Sequence, residues 1–168
     1  MLNNEKSLIY ASKLAKYVIS YVFYNAEDQY KRITNLKLQK ILYYIEGYFM
    51  AKYGYSLYPA LIEAWRFGPV LPSVYYEYSI FGADPIVLSE EEMSKAEADF
   101  KSSIKDSKQR ALINHVIDKK MNMDVWQLVE ATHREAPWKD AIAKQDGNES
   151  PVIITKRKMM EYFKSLKQ

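Results

Sequence analysis

The sequence has no cysteine, and that absence removes disulfides, thiolate zinc sites and cysteine nucleophiles together. Histidine is nearly as scarce. His115 and His133 are the only two, without an HxxxH spacing or a flanking carboxylate pattern suited to a metal. The five glycines are dispersed, so neither GxGxxG nor GxxxxGK(S/T) occurs and no phosphate loop is expected. No apolar run approaches the ~20 residues of a membrane span. The apolar N-terminal segment is broken by Lys13 and Lys16, unlike the core of a signal peptide. A soluble, cytoplasmic protein with no membrane partner is therefore expected. The net charge of +3 is too small to imply nucleic-acid binding by itself. The acids that do cluster, Glu90–Glu92 with Glu97 and Asp99, read as a solvated helix face rather than a catalytic pair. No enzyme and no cofactor are expected.

What the chain has in quantity is tyrosine, fifteen in 168 residues, a side chain suited to core edges and binding surfaces alike. The organising stretch is Ile33–Pro72, ITNLKLQKILYYIEGYFMAKYGYSLYPALIEAWRFGPVLP. Leu38, Ile41, Leu42, Ile45, Tyr48 and Phe49 recur at helical spacing. Thr34 or Asn35 is placed to cap, and Gly54 follows the last periodic residue, so a helix over 34–53 is predicted. Lys37, Gln39, Lys40 and Glu46 fall off its apolar stripe.

Around this helix the pattern predicts a first helix over 7–24 and a loop at Asn25–Lys31. Tyr55–Trp65 contains Pro59, which forbids a regular helix there; Leu61–Trp65 reads as a short strand or an extended packing segment. Gly68-Pro69 is expected to open a third helix, with Pro72 in its first turn or at its true start. Ser89–Glu92 has the composition of a capping box, and Asp124 with Gln127 repeats it, with Met123 and Leu128 as a hydrophobic staple. The polar segment 93–110 reads as one surface helix or as a helix followed by a mobile loop at Lys101–Ser107. Helices over 108–120 and 124–133, a short one restarting at Pro137, a loop at Gly147–Ser150 and a last helix capped by Thr155 complete the chain. The expectation is a mainly α, compact fold of about seven helices in one domain over residues 1–168, with at most one short β-ribbon near 57–66.

Helices 124–133 and 137–143 have about the size of a helix-turn-helix, but the second begins Pro-Trp-Lys-Asp-Ala and is poor in base-reading residues. Its Trp138, like Trp126, reads as core. His133 sits near a helix end, where a cationic ring would suit the terminal carbonyls. Trp65-Arg66-Phe67 is the best candidate for a recognition surface, because Trp, Tyr and Arg dominate interface hot spots. The competing reading places Trp65 and Phe67 in the core with Arg66 solvated between them.

Three segments in order, TNLKLQKILYY, IEAWRFGPVLPSVY and EATHREAPWKDA, resemble the SocA-like antitoxin domain, also called Panacea or the phage-associated GepA-type domain. The resemblance runs from about Leu8 to Phe163. At Arg66-Phe67 the family more often shows a basic residue and tyrosine, a mild departure. The resemblance implies a compact helical module, often encoded by prophages or mobile elements, that neutralises a cognate toxin specified by a neighbouring gene. A nucleic-acid-binding regulator and an adaptor delivering a partner to a protease are the alternatives; nucleic acid is not the expected partner. The residues chosen for partner binding are Lys40, Tyr44, Trp65, Arg66, Tyr75 and His133.

Overall fold

The computed structural model describes residues 7–145, 147 and 150–166. Its axis is α2 (Asn35–Tyr53), begun by Thr34, whose Oγ1 accepts from the Lys37 N–H, and ended by Gly54 at φ 80°, a left-handed step that costs glycine least. Fourteen of its nineteen residues are buried, including Lys37, Gln39, Lys40 and Glu46, which the periodicity placed on a polar face. The correction has a plain cause. α1 (Ala11–Asn25), α5 (Ser107–Met121), α6 (Val125–His133), α8 (Lys156–Ser165) and a small sheet pack around α2, leaving solvent only at Leu36, Tyr48 and its last turn. A helix buried on nearly every side must satisfy each polar group it buries inside the protein.

Glu46 shows how. Its carboxylate, fully buried, accepts from the Leu57 N–H at 2.7 Å, the Tyr58 N–H at 3.3 Å and Ser56 Oγ at 3.1 Å. Lys156 closes the cluster with an ion pair at 2.7 Å, pinning the start of α8 to the middle of α2. The next residue, Gly47, admits α8, since a Cβ there would lie 2.2 Å from the Phe163 ring.

The sheet runs in the order β2-β1-β3, all antiparallel: β1 is Ile62–Trp65, β2 is Gly68–Val70 and β3 is Val152–Ile154. Gly68-Pro69 thus opens no helix; it forms β2, with Trp65 opposite Gly68 and Ala64 opposite Pro69. Arg66 and Phe67 keep negative φ, so Gly68 at φ 107° takes the left-handed step that returns the hairpin. Helix α3 (Pro72–Glu77) starts at Pro72, its first residue. The ribbon expected near 57–66 is therefore a three-stranded sheet centred on 62–70.

α4 (Glu90–Ser103) begins on the Ser89–Glu92 capping box and packs along α1, where Tyr17 stacks on Phe100 at 3.6 Å. The polar segment 93–110 resolves into two helices, because Asp106 caps α5 through the Lys108 N–H. The Asp124–Gln127 capping box starts α6, and Pro137 lies in the first turn of α7 (Ala136–Ala143). The loop expected at 147–150 lies partly outside the described residues. Eight α-helices and one small sheet among the described residues make the fold mainly α.

Candidate interaction surface

The hairpin β1–β2 is held from beneath by polar side chains of α2. Lys40 is fully buried and its Nζ donates to the Pro69 carbonyl at 3.0 Å. Burial pushes its ammonium down to about 7, since desolvation penalises the charged form. Gln39 Oε1 accepts from the Leu71 N–H at 2.9 Å, and Gln39 Nε2 donates to Asn35 Oδ1 at 2.8 Å. Asn35 Nδ2 in turn donates to the Tyr75 carbonyl at 3.0 Å. Gly68 allows this approach: a Cβ would lie 2.6 Å from Thr132 Oγ1 and 2.7 Å from Lys40 Cε. From the other side, Trp138 Nε1 donates to the Trp65 carbonyl at 2.8 Å, tying α7 to the sheet. His133 stacks on the Trp138 ring at 3.9 Å. Burial lowers the His133 pKa, with a hydrogen bond at the Arg66 backbone opposing, and its Nε2 is buried without a partner among the described residues. The cationic, helix-capping role expected for His133 gives way to a ring stacked behind the hairpin.

In front of the hairpin lies a continuous aromatic face. Trp65 packs edge-on against Tyr75, ring centroids 4.9 Å apart, and reaches Tyr76 at 6.3 Å; its Nε1 donates to Glu63 at 2.9 Å. Phe67 meets Trp126 of α6 edge-on at 5.5 Å. The Arg66 guanidinium lies 5.3 Å from the Phe67 ring centre and has no ion pair among the described residues. Between hairpin and α3 runs a groove of about 300 Å³, lined by Leu36, Trp65, Arg66, Phe67, Val70 and Tyr75. Phe67 is 42% exposed, Trp126 52% and Tyr76 64%. Such a concentration of accessible aromatics beside an unpaired arginine has the composition of an interface centre.

The structure gathers Trp65, Arg66 and Tyr75 on this face, puts His133 behind it and removes two of the chosen residues. Lys40 is 0% exposed and serves as a strut of the hairpin. Tyr44 is 1% exposed and lies elsewhere, donating with Tyr43 to Glu135 at 2.9 and 3.1 Å. Burial raises the Glu135 pKa, the tyrosine bonds and Lys120 opposing, and the Lys120 ammonium sits 4.0 Å over the Tyr44 ring. Lys40 falls off the apolar stripe of α2, yet the elements packed around the helix bury it together with Tyr44. Phe67 is 42% exposed, as the recognition reading of Trp65-Arg66-Phe67 has it and against the reading that places it in the core. Tyr76 and Trp126 are the residues of this face that the sequence pattern does not single out. Trp126 precedes the buried Leu128 by two residues, about 200° around a helix, so it points outward where core was expected.

The family model described as antitoxin SocA-like, Panacea domain, matches residues 38–139, more than half of the chain and a span that contains the hairpin, its struts and Trp126. Antitoxin SocA of Caulobacter vibrioides (strain NA1000 / CB15N) is 46% identical over 55 residues, 33% of this chain and 29% of that protein. The match therefore spans less than a third of that relative's length. No solved structure matches the chain.

Proposed function

Because the chain belongs to the antitoxin SocA-like, Panacea domain family, we propose that it neutralises a toxin protein by direct binding through the aromatic face of the β1–β2 hairpin. The observation that carries this reading is an exposed aromatic surface assembled from separated segments over buried struts. α2 supplies the struts Gln39 and Lys40, the hairpin supplies Trp65, Arg66 and Phe67, and α6 supplies Trp126. Neutralisation of this kind is occupancy of a partner's surface and calls for no catalysis by the antitoxin. The partner is a toxin specified by an adjacent gene on a prophage or mobile element, and both act in the cytoplasm.

Co-expression with the adjacent gene product tests the proposal. The parent chain restores growth and co-purifies with the toxin in fixed stoichiometry, whereas a folded variant carrying Arg66→Ala and Trp126→Ala does neither. Full rescue by that variant removes this surface, and failure of the parent with a correctly matched toxin removes neutralisation itself.

A further inference from the structure

A second groove lies between α5 and α8, and it differs from the aromatic face in shape and charge. At about 510 Å³ it is within the range of roughly 300–1,000 Å³ typical of ligand clefts. Its apolar lining comes from Tyr48, Leu112, Val116 and Leu166, and its charged or ionisable lining is His115, Lys119 and Lys120. Among the described residues no carboxylate lines it. Glu135 is not among the lining residues; it accepts from the Tyr43 and Tyr44 hydroxyls and offsets only part of the Lys120 charge, leaving Lys119 uncompensated. Neither lysine forms an ion pair among the described residues.

We propose that this groove is a second docking surface, and that its occupant is an acidic, leucine-bearing segment of a partner polypeptide. The charge argument fixes the sign: an apolar floor edged by the Lys119 and Lys120 ammonium groups favours anionic guests and disfavours basic ones. The spacing argument selects a polypeptide. His115 and Lys119 stand one helical turn apart, about 6 Å along α5, so they match carboxylates repeating along a chain rather than a single head group. The site is independent of the aromatic face. Gln39, which supports the hairpin, and Tyr48, which lines this groove, are nine positions apart on α2, about half a turn around it and roughly 13 Å along it.

The test uses the whole chain and a labelled short helical peptide with leucine on one face and glutamate on the other. Fluorescence anisotropy at about 0.15 M ionic strength is expected to give saturable binding. Lys119→Glu and Leu112→Gln each weaken it by about tenfold or more, while Arg66→Ala leaves it unchanged. Melting temperatures near the parent's confirm that these variants fold. A parent chain that fails to bind overturns the proposal. So does equal binding of polyglutamate or of a lysine-for-glutamate peptide, since the first removes the apolar floor and the second the charge match. Binding lost with Arg66→Ala moves the peptide to the aromatic face, and tighter binding of a DNA or RNA oligomer replaces the polypeptide with a nucleic acid; either result also overturns the proposal.

Discussion

The Lys40 ammonium lies 3.0 Å from the Pro69 carbonyl, in a fully buried position with no other hydrogen-bond partner among the described residues. An uncompensated buried lysine is a cost the fold bears in order to brace the hairpin from below. Its consequences can be measured.

Folded Lys40 titrates at about 7 against 10.5 for the free side chain. The unfolded chain therefore binds more protons between those values, and stability rises with pH across the window. Below pH 7 both states are protonated and the full penalty applies. Tyr17, pushed up to about 12, works in the opposite sense above pH 10, so the useful range is pH 7 to about 9.5. Urea unfolding over that range is expected to show stability rising with pH, Lys40 alone contributing up to about 1.4 kcal/mol per pH unit. Lys40→Met reduces the slope. It does not abolish it, because Lys37 is lowered to about 8 and contributes in the same direction. An unchanged slope in Lys40→Met shows that Lys40 is not the titrating group.

Gly68 and Gly54 separate backbone strain from crowding. Both have positive φ, but a Cβ on Gly54 meets nothing within 4 Å, whereas one on Gly68 collides with Thr132 and Lys40. Gly54→Ala is expected to cost about 1–2 kcal/mol, the left-handed penalty alone. Gly68→Ala costs that amount plus roughly 1–3 kcal/mol for the overpacking. Thermal unfolding of the two variants side by side checks the difference, and equal losses remove the steric contribution.

The Glu46–Lys156 pair makes the junction of α2 and α8 a test of buried ion pairing. Glu46→Ala strips partners from two backbone N–H groups and leaves the Lys156 ammonium without its counter-charge, holding only the Tyr58 carbonyl, for an expected loss of about 3–5 kcal/mol. The double variant Glu46→Ala/Lys156→Met loses less than the sum of the single changes, because a neutral side chain no longer needs a counter-charge. Denaturant titration of the four proteins in the cycle measures the coupling; additive losses show that the pair acts as two unrelated groups.

Local chemistry made much of the fold legible in the sequence. The caps at Thr34, Ser89, Asp124 and Thr155 all act at their expected helix starts. What escaped depended on tertiary pairing. β3 is three residues long and becomes a strand through Ile62–Ile154 and its neighbours, and Gly68-Pro69 reads locally like a helix start until Trp65 pairs with Gly68. The polar residues of α2 misled for the same reason, since burial on nearly every side was not encoded in the helix's own period. The interaction face was half legible. Trp65-Arg66-Phe67 stood out by composition, but that Trp126 joins it depends on how α6 docks against the hairpin.

The aromatic face yields the prediction that separates function from scaffold. Arg66 and Trp126 are exposed, touch Phe67 and make none of the hydrogen bonds that hold the hairpin through their side chains. Replacing either by alanine should shift stability by no more than about 0.5 kcal/mol. If they lie at the centre of the interface, each change weakens toxin binding by roughly 1–4 kcal/mol. Tyr44→Phe is the contrasting change. It leaves the partly buried Glu135 with one hydroxyl donor fewer, costing about 1–3 kcal/mol of stability, yet it alters nothing on the aromatic face. Calorimetric binding to the purified toxin, beside thermal melts of the same three variants, should therefore show affinity lost without stability in two of them and stability lost without affinity in the third. If Tyr44→Phe weakens binding as much as Arg66→Ala while remaining folded, the contact surface extends to the Glu135 cluster and the hairpin is not its centre.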